Sequence, residues 1–311
     1  MKRRLFAIAA FVFTAFVATS CLDTESDYEK QVKIDDQILA EYVEAHQIDA
    51  VRHNTGLYYQ VIDESGSDIE VERGDVVSLN YTISLLDGTT IETNAGEHGE
   101  PVRMKVLAGS VIPEGLDYGV NLMNMGDKYR FIIPSYLAYG SYSTEDFPSH
   151  SNFILDVEVV DIETETEIDD VQRDSIANYV EQRYEDYQEY ASGLYFIDSI
   201  PGDGERPFGY SAVIVDFERK YLDGTTVYEN EGAIIHLDQN QAVEGLEEGI
   251  KLTKEGGTSV MIMPASIGFK QSVCVIPERA RDDLFQDRII NNNVKPYSIL
   301  KYIVELKAIN I

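Results

Sequence analysis

The sequence predicts an α+β protein made of two copies of one domain, each an antiparallel sheet wrapped on one short helix, with a helical prefix before each copy. Three observations carry this reading. First, Val111–Gly140 and Ala242–Lys270 share anchors: Gly115 with Gly245 and Pro134 with Pro264 both stand 130 positions apart, so the segments match without a gap between those anchors. Such a repeat organises the chain before any single residue does. Second, segments such as Val76–Leu85 alternate apolar and polar residues, as half-buried strands do. Third, one short amphipathic stretch per copy, Gly115–Met123 in the first, supplies a helix to cover the apolar face of the sheet.

In chain order, Lys2, Arg3 and Arg4 precede an apolar run from Leu5 to Val17, then Ala18-Thr19-Ser20-Cys21. The run is short for a bilayer span, and its flanks fit a signal peptide over residues 1–20. A small residue before a cysteine at this distance resembles the lipobox of bacterial lipoproteins, in which the cysteine is lipidated; a plain secretory signal and an uncleaved anchor are the alternatives. Lipidation at Cys21 would hold the protein to a membrane without a transmembrane helix. The implied place is the cell envelope, lipid-anchored at the outer membrane, on its periplasmic face or at the cell surface. Residues 21–33 are polar and acidic and read as a tether.

From Ile34 to Ala50, Ile34, Ile38, Leu39, Tyr42 and Val43 recur at helical spacing. Thr55–Tyr59 opens a strand to about Ile62. In Val76–Leu85, residues Val77, Leu79, Tyr81, Ile83 and Leu85 share one face. Asp87-Gly88 is a hairpin turn, and Thr89–Glu92, Val102–Leu107, Tyr129–Ile133 and Phe153–Val160 complete the sheet. The first unit therefore spans residues 34–162 and the second residues 163–311.

The second copy repeats the order. Tyr42 to Gly56 and Tyr179 to Gly193 both span 14 positions, and Asp223-Gly224-Thr225-Thr226 copies Asp87-Gly88-Thr89-Thr90. Tyr179, Tyr184, Tyr187 and Tyr190 are placed on its linker helix as packing or interface residues. Val213, Val215 and Phe217 share one strand face, and Leu300, Tyr302, Val304 and Leu306 close the sheet. About 30 residues separate Phe269 from that last strand, against roughly a dozen in the first copy, and they are rich in charge and Asn.

Composition bounds the function. The chain has 311 residues, 44% of them hydrophobic, enough for two cores, and a formal net charge of −30. That acidity speaks against nucleic acid, which needs a basic footprint. With Cys21 lipidated, Cys274 has no disulfide partner and reads as a buried, inert thiol. No metal-ligand spacing, phosphate loop or nucleophile motif is present, and no cofactor is expected. His98 and His150 sit alone in Gly- or Ser-rich loops.

Taken together, Asn80-Tyr81-Thr82, Asp87-Gly88, Val111-Ile112, the helix at Gly115, Gly126-Asp127-Lys128, Ile133-Pro134-Ser135, Leu137-Ala138-Tyr139-Gly140 and Phe153–Val160 resemble the FK506-binding-protein (FKBP) family of peptidyl-prolyl cis-trans isomerases. The resemblance covers about Gly56–Ile162 and extends more weakly over Gly193–Ile311. It implies a pocket that holds a proline ring and favours the twisted amide. By resemblance, Leu116 is its floor, where many members have Trp. Tyr81, Ile91, Val102 and Leu155 are walls, the last three standing for the usual Phe. Val111 and Ile112 form the edge, Tyr139 offers a hydroxyl to a substrate carbonyl, Glu92 stands for an Asp, and Phe147 lies on the rim. Glu92 also reads as an ordinary exposed hairpin carboxylate. With fewer aromatics, the pocket is expected to be shallower or wider.

In the second copy Phe217, Val227, Tyr228, Ala242, Val243, Leu246 and Phe269 replace these groups and remove both hydroxyls and the acid. It is expected to be an apolar dent without catalysis. Two functions follow. The first is an isomerase acting, through the first copy, on proline-containing segments of exported or unfolded proteins. The second is a non-catalytic peptide-binding or assembly module using the pocket and the second-copy insertion. The sequence leaves the oligomeric state open.

Overall fold

The structure, a computed structural model, describes residues 25–96 and 99–310. The expected signal segment, Cys21 and His98 lie outside the described residues. Among those described, no helix is long and apolar enough to cross a membrane.

The first helix, α1 (Asp27–Ala45), begins earlier than its apolar period suggests, so part of the expected tether is helical. The reason is local. Ser26 accepts from the Glu29 N–H while the Glu29 carboxylate accepts from the Ser26 N–H, a capping box that satisfies two end groups reciprocally. Strands β1 (Val51–Arg52), β2 (Tyr58–Asp63), β3 (Val76–Leu85), β4 (Thr90–Thr93), β5 (Val102–Lys105) and β6 (Val111–Ile112) follow, then α2 (Glu114–Val120), β7 (Lys128–Ile133) and β8 (Phe153–Glu163). The sheet runs β1-β2-β7-β8-β3-β4, with β5 also on β3, and every pairing within it is antiparallel.

A second capping box, Thr164 with Glu167, starts α3 (Glu165–Glu181). Then come β9 (Gln188–Glu189), β10 (Tyr195–Ile200), β11 (Ala212–Lys220), β12 (Thr226–His236), α4 (Glu244–Leu252), β13 (Thr258–Met263), β14 (Cys274–Val275), α5 (Arg281–Gln286) and β15 (Leu300–Asn310). The second sheet is β12-β11-β15-β13-β10-β9. Of the four tyrosines assigned to the linker helix, only Tyr179 lies on it. Tyr184, Tyr187 and Tyr190 follow its end at Glu181, where Tyr184 packs beside Ile176 and Val180 and Tyr190 packs on the second sheet.

The repeated glycines explain how each helix reaches its sheet. A Cβ on Gly119 would lie 2.7 Å from the Phe131 ring, and one on Gly115 would lie 2.6 Å from Ile133 Cγ2. Gly245 and Gly249 face Met263 and Met261 in the same way. Glycine lets the helix backbone rest on the strand, and Leu116 and Val120 are fully buried in the same apolar cluster as Val77, Leu79, Tyr81, Phe153 and Leu155.

The helical prefixes have a shared task. Asp35 is fully buried and accepts from the Ser135 hydroxyl (2.6 Å), on the single-turn helix Ser135–Leu137 that follows β7. Gln172 on α3 stands at the equivalent place and accepts from the Ala265 N–H (2.7 Å). Each prefix thereby braces the loop that leads to Tyr139 or Phe269. Between the two units, Val76 packs with Ile168, Ala265 and Tyr297.

Candidate functional site

The residues singled out in the first copy converge. Tyr81, Ile91, Val111, Leu116, Tyr139, Phe147 and Leu155 belong to one buried apolar cluster, with Val102 and Ile112 packed against it. Strand alternation places Tyr81 on β3, Ile91 on β4 and Leu155 on β8 toward the same face, and α2 carries Leu116 beneath them. Phe147 is 1% exposed: rather than standing open on a rim, it packs on Tyr139 (ring centroids 4.6 Å) and Phe153 (5.2 Å).

Glu92 is not a free hairpin carboxylate. It accepts the Tyr81 hydroxyl, the Glu278 N–H (2.6 Å) and, more weakly, the Arg279 N–H (3.3 Å). Burial, with the Glu92 hydrogen bond second, pushes the Tyr81 phenol pKa far upward. Burial does the same to Tyr139, so both stay hydroxyl donors.

The site is occupied, and its occupant comes from the second copy's insertion. Strand β14 pairs in parallel with β6, Cys274 beside Val111 and Val275 beside Ile112. The Cys274 N–H donates to Ser110 O and the Ile276 N–H to Ile112 O, both at 2.8 Å. The Tyr139 hydroxyl donates to Ile276 O at 3.0 Å. Ile276 is fully buried, Pro277 is buried beside it, and the peptide bond between them is cis. Cys274, Val275, Ala280, Leu284 and Ile290 also join the first copy's core. Sequence reasoning missed this. The available signal was the apolar run Val273–Pro277, with a second Val-Ile-Pro matching Val111–Pro113, inside a segment otherwise rich in charge and Asn.

The family profile described as FKBP-type peptidyl-prolyl cis-trans isomerase matches residues 67–160 and again 204–307. The chain belongs to this family. Its FKBP relatives include the FKBP-type peptidyl-prolyl cis-trans isomerase FkpA of Aeromonas hydrophila, 37% identical over 109 residues, 35% of this chain and 39% of that protein. The chain thus spans about two fifths of the length of that relative. FK506-binding protein 2 of Yarrowia lipolytica is 35% identical over 103 residues, 33% of this chain and 70% of that protein. The crystal structure of FkpA from Escherichia coli superposes with a TM-score of 0.37 at 32% identity, covering 44% of this chain and 62% of that one.

The second FKBP-like unit differs from the expected apolar dent. Arg219 on β11, at the position of Ile83, is 6% exposed and fills the space between Phe269 (4.7 Å from guanidinium to ring centroid), Tyr228 (5.3 Å) and Tyr302 (6.0 Å). Its Nη atoms reach Tyr302 and Asn293 only at 3.4 Å, and Nε has no partner. Val294 is fully buried in the same core. This FKBP pocket is closed by its own side chains.

Proposed function

We propose that the first domain, residues 34–162, is a peptidyl-prolyl cis-trans isomerase acting on proline-containing segments of exported proteins, held in the cell envelope by a lipid on Cys21. One observation carries the catalytic part: the Tyr139 hydroxyl donates to the carbonyl of a residue that directly precedes a proline, inside an apolar enclosure floored by Leu116. Rotation of an X-Pro bond crosses a barrier of ~18–20 kcal/mol and needs no covalent partner. A site accelerates it by binding the twisted amide more tightly than the planar one. Dry walls favour the twisted form, which has lost amide charge separation. Tyr139 fixes the carbonyl, the edge of β6 aligns the chain, and Glu92 receives the N–H that follows the proline.

Proline-limited refolding of a test protein with residues 22–311 measures this. Acceleration is expected, and Tyr81→Phe with Tyr139→Phe is expected to reduce it about thirtyfold, ~1 kcal/mol for each lost hydrogen bond. No acceleration by the wild type or by a variant with a displaced insertion would overturn the reading in favour of the non-catalytic peptide-binding module. Fatty-acid labelling of cells tests the anchor: it should be lost in Cys21→Ser.

A further inference from the structure

We infer that the insertion of the second domain is a tethered pseudosubstrate: Val275-Ile276-Pro277-Glu278 occupies the first domain's proline pocket and must leave before a client segment can enter. The inference rests on the isomerase reading of that pocket for its meaning, but its geometry stands separately.

The segment uses the groups a client would need. Ile276 O takes the Tyr139 hydroxyl, the Ile276 N–H takes Ile112 O, and the Glu278 N–H takes a Glu92 oxygen. A client aligned on β6 meets each of these partners already engaged. The apolar contact is equally complete, because Ile276 is 0% exposed and Leu284, eight residues on, is 1% exposed within the same core. This is deeper seating than two domains resting side by side require.

The tether sets the strength. The insertion is fixed at both ends in one sheet, by Met263 on β13 and Leu300 on β15. Arg281 draws its ends together, with Nη1 donating to Val273 O (2.8 Å) and Val294 O (3.1 Å). A segment held this way faces the pocket at an effective concentration on the order of mM. With an intrinsic dissociation constant of ~0.1 mM it would lower the free-site fraction, and hence client affinity, about tenfold. Closure of the second pocket by Arg219 fits a unit whose task is to present the insertion.

The occupant also describes the client. It is extended, pairs in parallel with Val111–Ile112, and carries an aliphatic residue before the proline. The residue after the proline must supply an N–H to Glu92, so a second proline there is excluded.

The test uses a labelled peptide of sequence Ser-Val-Ser-Val-Ile-Pro-Glu-Arg-Ala and the chain of residues 22–311, as wild type, as Ile276→Asp and as Ile276→Ala with Leu284→Ala, each checked for folding by circular dichroism. Both release variants are expected to bind the peptide at least tenfold more tightly than wild type and to isomerise faster. Equal binding by wild type and variants, or binding by none, would overturn the pseudosubstrate. Gain of binding without isomerisation would leave the pseudosubstrate standing and remove the isomerase reading. Amide exchange in the wild type is a readout independent of variant folding: the Cys274 and Ile276 N–H groups should be protected, and exchange at the rate of an open loop would overturn the inference.

Discussion

The Tyr139 hydroxyl and the Ile276 carbonyl, 137 residues apart in the chain, meet at 3.0 Å in a buried hydrogen bond. Tyr139→Phe keeps the ring that packs on Phe147 and Phe153 but withdraws this donor from a buried carbonyl. Thermal or urea unfolding should show a loss of about 1–2 kcal/mol. Amide exchange at Ile276 should quicken in the same variant, because the bond seats the insertion as well as the pocket wall. Unchanged exchange would mean that the insertion is held without Tyr139.

The pocket is expected to work without a titrating group near neutrality. Burial raises the Tyr81 and Tyr139 phenols far above the usual range, and burial pushes the Cys274 thiol up to about 12. Refolding assays run between about pH 6 and 9 should give a flat rate profile, unlike the bell of general acid–base catalysis. A step within that window would show that a further group takes part.

Asp127 supplies the opposite case, a carboxylate whose charge stabilises. Burial resists its ionisation, but the N–H groups of Ser65 (2.9 Å) and Asn124 (2.8 Å) and the Ser65 hydroxyl (2.9 Å) outweigh this and hold its pKa below the ordinary 3.8. A depressed folded-state pKa means that the stabilisation is full above the unfolded value and is lost as pH falls through the folded one. Asp127→Ala should therefore cost about 2 kcal/mol at about pH 7. Its deficit relative to wild type should shrink below about pH 4, as the wild type loses the same contribution.

The two helix–sheet contacts should respond differently to one added methyl group. In Gly119→Ala the methyl meets three Phe131 ring atoms at 2.7–2.9 Å, and a ring wedged in the core has no room to yield. A loss of about 1–3 kcal/mol is expected. In Gly249→Ala the neighbour is Met261, whose flexible side chain can rearrange, and the better helix propensity of Ala offsets the remainder. Its melting temperature should stay near that of wild type.

What the sequence made legible was local. Alternation along Val76–Leu85 and Phe153–Val160 placed Tyr81 and Leu155 correctly on the inner face, because a strand's period of two is written in neighbouring residues. Gly115 and Gly245 marked the two helices because only glycine permits that close approach. The start of α1 was missed because a capping box, not an apolar stripe, sets it. The filled pocket was not legible because β6 and β14 lie more than 160 residues apart. Nothing in either strand alone names its partner. Arg219 escaped notice for a related reason: a charged residue in a strand reads as outward-facing until the rings of Phe269, Tyr228 and Tyr302 are seen around it.

Arg219 also gives a sharp test of how the second pocket is closed. A buried guanidinium gains from three aromatic faces, but its Nε lacks a hydrogen bond and its other contacts stretch to 3.4 Å. Burying a charge this poorly satisfied is costly, and an apolar side chain of similar length is often equal or better. Arg219→Met is therefore expected to leave stability unchanged within ~1 kcal/mol or to raise it. Arg219→Ala removes the same charge but leaves the space between the rings empty, at a cost of about 2–4 kcal/mol. Thermal unfolding of the two variants separates the contributions. A large loss in Arg219→Met would mean that the cation itself, through the aromatic faces, holds this core together. Stability retained in both variants would mean that the rings collapse to fill the space.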